Sequence, residues 1–362
     1  MSFMERIANL FGRGEDDTLR VPAMDGVLKP NNLLDAADRL LDLPAIDNLA
    51  IASGKLLCSS GDTVFVIDAV SREAVPLHRF GGAVTMIAAS PTGRIAVCIE
   101  GRGIETGSLD GDWRSADLPP DCRSCVTAGV FRDEDTLVLT VGSRKHPWSE
   151  WKRDLMSHGT SGRVLEFGIA TGKTSVLADG LAFPYGIVLT ARGPVVSESW
   201  RHRLIWLRSD TPPAVVMDDL PAYPARLSPA SAGGFWLALF APRRQLTELV
   251  LREDDYRSEM MATIPPEAWI GPDFADGGSL SQPLQSGAVR QMGVLKPWAP
   301  SRSYGMVVRL DHDMAPVASF HSRADGRIHG IASVAEVEGK LYAAARGPGT
   351  LIAFDPARGA FA

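Results

Sequence analysis

Short apolar runs recur along the chain, each entered through a glycine or an acidic turn. They read Gly54–Cys58, leading on to Val64–Asp68, then Gly93–Cys98, Asp135–Leu139, Gly193–Val196, Gly233–Leu237 and Gly339–Ala343. A strand-built pattern that returns at a spacing of roughly 40–50 residues is the mark of a propeller, because one four-stranded blade cannot bury both of its faces alone. The pattern predicts an all-β fold, a six-bladed β-propeller. Closing the ring places any active site in the central channel.

Composition agrees with that architecture. The 362 residues, with 35 Gly and 25 Pro, suit many strands joined by tight turns, and all-β closed folds of this length form one domain. The expected organisation is a helix or tail over residues 1–20 and a single propeller over 21–362. Met1–Phe11 has apolar residues at helical spacing and a capping-box pair, Ser2 and Glu5. This helix packs on the ring or frays, or it offers Phe3, Ile7, Leu10 and Phe11 to a membrane surface. It is too short and too charged for an export signal or a span, so the expected location is cytoplasmic, with no transmembrane segment.

A formal net charge of −6 lacks the basic face of a nucleic-acid binder and excludes that class of partner. The four cysteines are too few for a disulfide scaffold. Cys58 and Cys98 sit in predicted strands as small buried thiols, and Cys122 and Cys125 form one C-x-x-C pair without the further ligands that zinc needs. That pair is either a local disulfide or two unpaired thiols.

Two stretches interrupt the strand pattern. Residues 143–159 insert an aromatic and charged segment, with His146, Trp148 and Trp151, into the third blade. Residues 252–302 insert a second one, rich in Pro and Gly, with Trp269 and Trp298. Long loops in a compact fold wall or cover ligand sites, so both are expected near the channel. Trp148 and Trp151 would wall a ligand by stacking, or lie on one face of a short helix packed on the ring.

Three stretches go beyond a generic propeller: Ser161–Phe167 with Thr174–Ile187, Asp219–Ser231 with Gly233–Leu239, and Ile331–Tyr342. In order and spacing they resemble the strictosidine synthase-like family of six-bladed propellers, related to gluconolactonases and paraoxonase-like esterases. The resemblance implies a channel site in which the metal-dependent relatives hold calcium or a similar ion with Asn, Asp and Glu side chains. This chain departs from that pattern, with Phe183-Pro184-Tyr185-Gly186 for the family's Phe-Pro-Asn-Gly and Tyr223-Pro224-Ala225-Arg226 for its Tyr-Pro-Asp-Asn. Thr127 stands where the third blade carries Asn, and Asp47 alone keeps an acidic position. A hard cation needs several oxygen ligands, so the expectation is no metal and no cofactor, with calcium disfavoured.

Arg226 brings a permanent positive charge to the channel, with Asp47 or Glu198 as its partner. It either anchors an anionic substrate group or bolts the ring in place of a metal. The general acid–base glutamate of the strictosidine-forming enzyme falls at Ala332, which argues against that reaction; His329 nearby is the candidate base, and Glu198 the second. His202 reads as part of a solvated turn. Candidate catalytic residues are therefore His329 and Glu198, and candidate substrate contacts are Arg226, Tyr185, Asp47, Thr127, Trp148 and Trp151.

No serine-hydrolase elbow, Walker loop or dinucleotide fingerprint is present. The leading expectation is a metal-independent hydrolase or lyase acting on a small polar or anionic cyclic ester or amide, with Arg226 stabilising developing negative charge. A Pictet–Spengler-type C–N condensing enzyme and a non-catalytic small-molecule-binding propeller are the alternatives. A channel plugged by Tyr185 and Arg226 favours the last.

Overall fold

The six apolar runs are the second strands of six four-stranded antiparallel sheets: Lys55–Ser60, Ile95–Ile99, Thr136–Val141, Gly193–Glu198, Phe235–Pro242 and Lys340–Ala345. A second strand lies in the middle of its blade and packs a neighbouring blade on both faces, so it is apolar throughout instead of alternating. Ile95–Ile99 is buried at every position. In this computed structural model, which describes residues 21–208, 211–275, 290–291, 294–295 and 301–359, the sheets stand around a channel as six propeller blades. The expected N-terminal helix over residues 1–20 lies outside the described residues, as does Trp298.

The inner strands are Ile46–Ala52, Val84–Ala89, Val126–Asp133, Pro184–Thr190, Ala222–Pro229 and Ile331–Val337. The sixth blade is completed by the start of the chain, since Asp38–Asp42 pairs antiparallel with Thr350–Phe354, with Asp38 opposite Ala353 and Asp42 opposite Thr350. Closure of this kind joins the two ends of the ring in one blade, whose outer edge is the short strand Asp38–Asp42. The Asp38–Asp42 strand is mostly polar and exposed, and it carries no signal in the repeat pattern.

Both insertions join the second and third strands of their blades, so they leave from the same face, where the inner strands begin. Residues 143–159 fold into a short 3₁₀ turn, Trp148–Glu150, and helix α1, Trp151–Met156. The second insertion begins earlier than expected, directly after Pro242 of the fifth blade. It forms α2, Gln245–Arg252, and α3, Asp254–Thr263, before Pro265 and Pro266 end the helix. Lys152 of α1 donates to Asp273 at 2.7 Å, and Arg302 holds the same carboxylate together with the carbonyls of Glu267 and Trp269. Burial pulls the Lys152 ammonium pKa down while Asp273 opposes it. The insertions are thereby tied to each other across one end of the channel.

Two glycines let the second insertion settle on the ring. A Cβ on Gly330 would lie 2.3 Å from the Phe274 carbonyl oxygen, and one on Gly347 would lie 2.4 Å from it. Only a residue without a side chain permits that backbone approach. Among the described residues no helix is long and apolar enough to cross a membrane. All four cysteines are free and buried, so the C-x-x-C pair is not a disulfide. Burial pushes the Cys58 and Cys98 thiols up to about 12.

Candidate functional site in the channel

Every inner strand breaks register with its neighbour within a few residues of its start. The irregularities fall between Asp47 and Ala50, Val84 and Met86, Val126 and Ala128, Pro184 and Gly186, Pro224 and Leu227, and Ile331 and Ser333. A bulge takes a residue out of the ladder and turns it aside, which frees its backbone groups for other partners. The residues so released are Asn48, which adopts a left-handed φ of 56°, then Thr85, Thr127, Tyr185, Arg226 and Ala332. The polar positions of the channel are thus set by one repeated backbone device.

Arg226, on the fifth blade, crosses to three others. Its Nη1 donates to Asp47 Oδ1 at 2.6 Å, Nη2 to the Thr85 carbonyl at 3.0 Å, and Nε to the Thr127 carbonyl at 2.9 Å. The two carbonyls are among those the bulges released. Arg346, just past the second strand of the sixth blade, donates to Asp47 Oδ2 at 3.0 Å. Asp47 is 4% exposed and Arg226 7%, so the pair is a buried ion pair joined by a second guanidinium.

Aromatic rings close over this cluster. The Arg226 guanidinium lies 5.2 Å from the Tyr185 ring centre and 5.9 Å from Trp148, and that of Arg346 lies 5.5 Å from Trp148 and 4.1 Å from Phe274. Trp148 is held in place by a bond from its backbone N–H to the Ser124 carbonyl, and its ring packs on Tyr185 at 5.4 Å. Trp151 sits farther out, against Trp200, Phe240 and Phe274, as part of a short helix packed on the ring. Burial pushes the Tyr185 phenol pKa up, so it stays a protonated donor.

The other sequence candidates have separate surroundings. Glu198 is fully buried at a strand end, where its carboxylate accepts from the Ala182 N–H, Arg201 and Arg203, and it is Asp47 that pairs with Arg226. The Thr127 hydroxyl donates to the Pro184 carbonyl at 2.6 Å and meets the Thr140 hydroxyl at 2.8 Å, which joins the third blade to the fourth. His329 is buried, with Nδ1 2.8 Å from the Ser303 hydroxyl and Nε2 3.0 Å from the Arg323 carbonyl. A carbonyl only accepts, so Nε2 carries the proton and Nδ1 takes the Ser303 hydrogen. His202, expected in a solvated turn, is instead 7% exposed against the Tyr223 ring, and burial holds its pKa well below the usual value.

This donor set does not fit a hard divalent cation. Asp47 supplies the only carboxylate of the cluster and gives both oxygens to guanidinium groups. Among the described residues no group of three His, Cys, Asp or Glu side chains is placed to hold a metal.

Beyond Arg226 the channel opens to the opposite face as a cavity of about 550 Å³. Its walls are the later halves of the inner strands, with Leu49, Ile87, Val130, Ile187 and Val334 among them, and Arg226 at the closed end. Ser228 Oγ is buried there without a hydrogen-bond partner. Sequence reasoning missed Thr85 and Arg346. Thr85 follows Val84 as Thr127 follows Val126, so aligning the repeats could have found it; Arg346 carried no such signal.

A strictosidine synthase family profile matches residues 128–204. Adipocyte plasma membrane-associated protein of Rattus norvegicus is 26% identical over 246 residues, covering 60% of this chain and 65% of the relative. Strictosidine synthase-like 2 of Arabidopsis thaliana is 24% identical over 200 residues, covering 52% and 46%. The match thus spans less than two thirds of the length of these relatives. Among solved structures, the calcium-binding protein regucalcin from Agrobacterium tumefaciens superposes with a TM-score of 0.56 at 12% identity, covering 88% of this chain and 92% of that one. A gluconolactonase from Xanthomonas campestris superposes with a TM-score of 0.54 at 12% identity, covering 87% of each. At such identities the structures share the fold. Profile, relatives and six blades agree with the resemblance carried by the Ser161–Ile187, Asp219–Leu239 and Ile331–Tyr342 stretches: the chain is a six-bladed propeller similar to the strictosidine synthase-like proteins.

Proposed function

We propose that this propeller binds a small amphipathic anion in the open half of its channel, with the anionic head on Arg226 and the apolar body against the inner strands. The observation that carries the reading is a guanidinium at the closed end of a mainly aliphatic cavity of about 550 Å³, whose wall also carries Ser228, Ser231, Ser333 and Glu336, the last bonded to Ser231 and Trp236. That size and lining are those of small-molecule sites, where a few polar groups set orientation. Three of the five N–H groups of Arg226 are spent on Asp47, Thr85 and Thr127. One on each terminal nitrogen is left for a carboxylate.

Hydrolysis of a small cyclic ester in the same cavity is the second reading. Its support is at the level of the fold, from the gluconolactonase among the structural neighbours. It lacks a free base, because both nitrogens of His329 and both oxygens of Glu198 already have partners. Binding therefore accounts for more of the geometry than turnover does.

Calorimetry of the whole protein with sodium octanoate, 1-octanol and a small lactone tests this. Octanoate should bind, octanol should bind at least about tenfold more weakly for want of the charged contact, and Ala50→Phe, at a half-buried position on the cavity wall, should abolish both. Failure of octanoate to bind, or equal binding by Ala50→Phe, would overturn the proposal. Lactone turnover lost in Ala50→Phe would establish the second reading instead.

A further inference from the structure

The roofed side of Arg226 has a hydroxyl and a second guanidinium that the channel ligand does not reach. Arg226 and Arg346 share a single carboxylate, with Asp47 Oδ1 on the first and Oδ2 on the second, and the Asn48 N–H also bonds to Oδ1. Among the described residues, two positive charges and one negative leave one positive charge in a largely buried place, where an uncompensated ion is costly. The charged groups that act on the adjacent Tyr185 hydroxyl are these same three, Asp47, Arg226 and Arg346.

Donors also outnumber acceptors there. The Tyr185 side chain is 1% exposed and its hydroxyl, beside Arg346, makes no well-formed hydrogen bond. Among the described residues, one of the five N–H groups of Arg346 has a well-formed acceptor, Asp47, and the guanidinium also lies against the Tyr185 oxygen. Trp148 and Phe274 stack on the guanidinium and limit its hydration. Of these groups the Tyr185 hydroxyl is the buried one, while the Arg346 side chain keeps 19% of its surface exposed; a buried hydroxyl without a partner is rare in folded proteins and calls for a missing one. A water molecule would take the hydrogen bonds but leave the charge.

We infer that the closed end of the channel binds a monovalent inorganic anion of halide or nitrate size, held by Arg346, the Tyr185 hydroxyl and the charge of Arg226. One negative charge balances the cluster and accepts every stranded donor. The anion completes the bolt across the first, fifth and sixth blades, so its binding stabilises the ring. This site lies on the other side of Arg226 from the channel cavity and has its own donors in Arg346 and Tyr185; a carboxylate on Arg226 would compete for the same charge, so the anion is tested without channel ligand.

The test is thermal unfolding of the whole protein in gluconate buffer, titrated with sodium chloride, bromide or nitrate at constant ionic strength. Each small anion should raise Tm along a saturable curve. Tyr185→Phe, which removes one hydroxyl, should fold and shift the midpoint to at least about tenfold higher anion, the effect of losing one hydrogen bond to a charged group. Arg346→Gln should remove the response, with Arg346→Lys as the variant that keeps the charge if the first is unstable. Ala50→Phe, which fills the channel cavity, should leave the response intact, so failure here and failure of the channel reading are separable. Anomalous diffraction from a bromide-soaked crystal should place bromide against Arg346 and Tyr185. Identical unfolding in chloride and gluconate, or an unchanged response in Tyr185→Phe, or no bromide at this place, would overturn the inference.

Discussion

Where the six inner strands begin, the channel is crossed by Arg226, braced by Arg346 and roofed by Trp148 and Phe274; where the same strands end, they enclose an open cavity lined by aliphatic side chains. One set of strands therefore makes a sealed polar end and an open apolar end. The bulges explain the first, because each releases a residue and its carbonyl from the ladder near the strand start. The insertions explain the seal, because both leave from that face. The later strand halves pair more regularly, the third blade's shift between Phe131 and Asp133 apart, and present mainly small or aliphatic residues. Fold is shared with enzymes of this architecture, while the chemistry rests on what fills the bulge positions.

The contrast can be broken most severely at Asp47. Asp47→Ala leaves Arg226 and Arg346 facing each other without their carboxylate, and loss of one member of a buried ion pair costs about 3–5 kcal/mol; urea unfolding should show it, and a cost under about 1 kcal/mol would mean that the bolt does not hold the ring. Next in size is Trp148→Ala. It empties the roof above two guanidinium groups and should destabilise by about 3 kcal/mol, read in the same unfolding curves.

Acid should act elsewhere, at the fifth blade. His321 is buried in the outermost strand of that blade, and burial lowers its pKa to about 4. The unfolded chain binds this proton near pH 6.5 and the folded one near pH 4, so the stability it contributes is whole above 6.5 and is lost as pH falls through that window. A shift from 6.5 to about 4 corresponds to about 3 kcal/mol. His321→Gln should reduce the slope of Tm against pH between 6.5 and 4, the rest belonging to the buried His202, without touching anion or octanoate binding. Smaller still, Gly347→Ala pushes a Cβ against the Phe274 carbonyl and should cost about 1–3 kcal/mol. Its signature is local: limited proteolysis within residues 243–275 should quicken, and an unchanged cleavage rate would show that the second insertion is not seated there.

The blades were legible because the second strands are legible. Leu137, Val138, Leu139 and Val141 are buried on both sides of their sheet and had to be apolar. The outer strands were not: Glu73–Arg79 and Gly111–Ala116 are half exposed and polar, and nothing in them distinguishes a strand from a loop. The closing strand Asp38–Asp42 hides for the same reason. At the site, substitution against the family pattern pointed to Arg226 and Asp47. It could not separate a ligand-facing carboxylate from a structural one, so Glu198 and His329 stood beside them. Burial of His202 was missed because an Arg-His-Arg stretch reads as solvated when its neighbours in space are unknown.

By itself the amino-acid sequence determined the six repeats and hence the ring, since a strand packed on both faces can be written only in apolar residues. It also determined that a cation and an aromatic ring stand at Arg226 and Tyr185, where relatives have smaller polar residues. Only the tertiary structure decided what answers that cation. Arg226 meets a carboxylate 179 positions away, and Arg346 reaches the same one across 299. Pairings at such distance depend on ring closure and on where each bulge turns the backbone, and neither leaves a local trace in residue type.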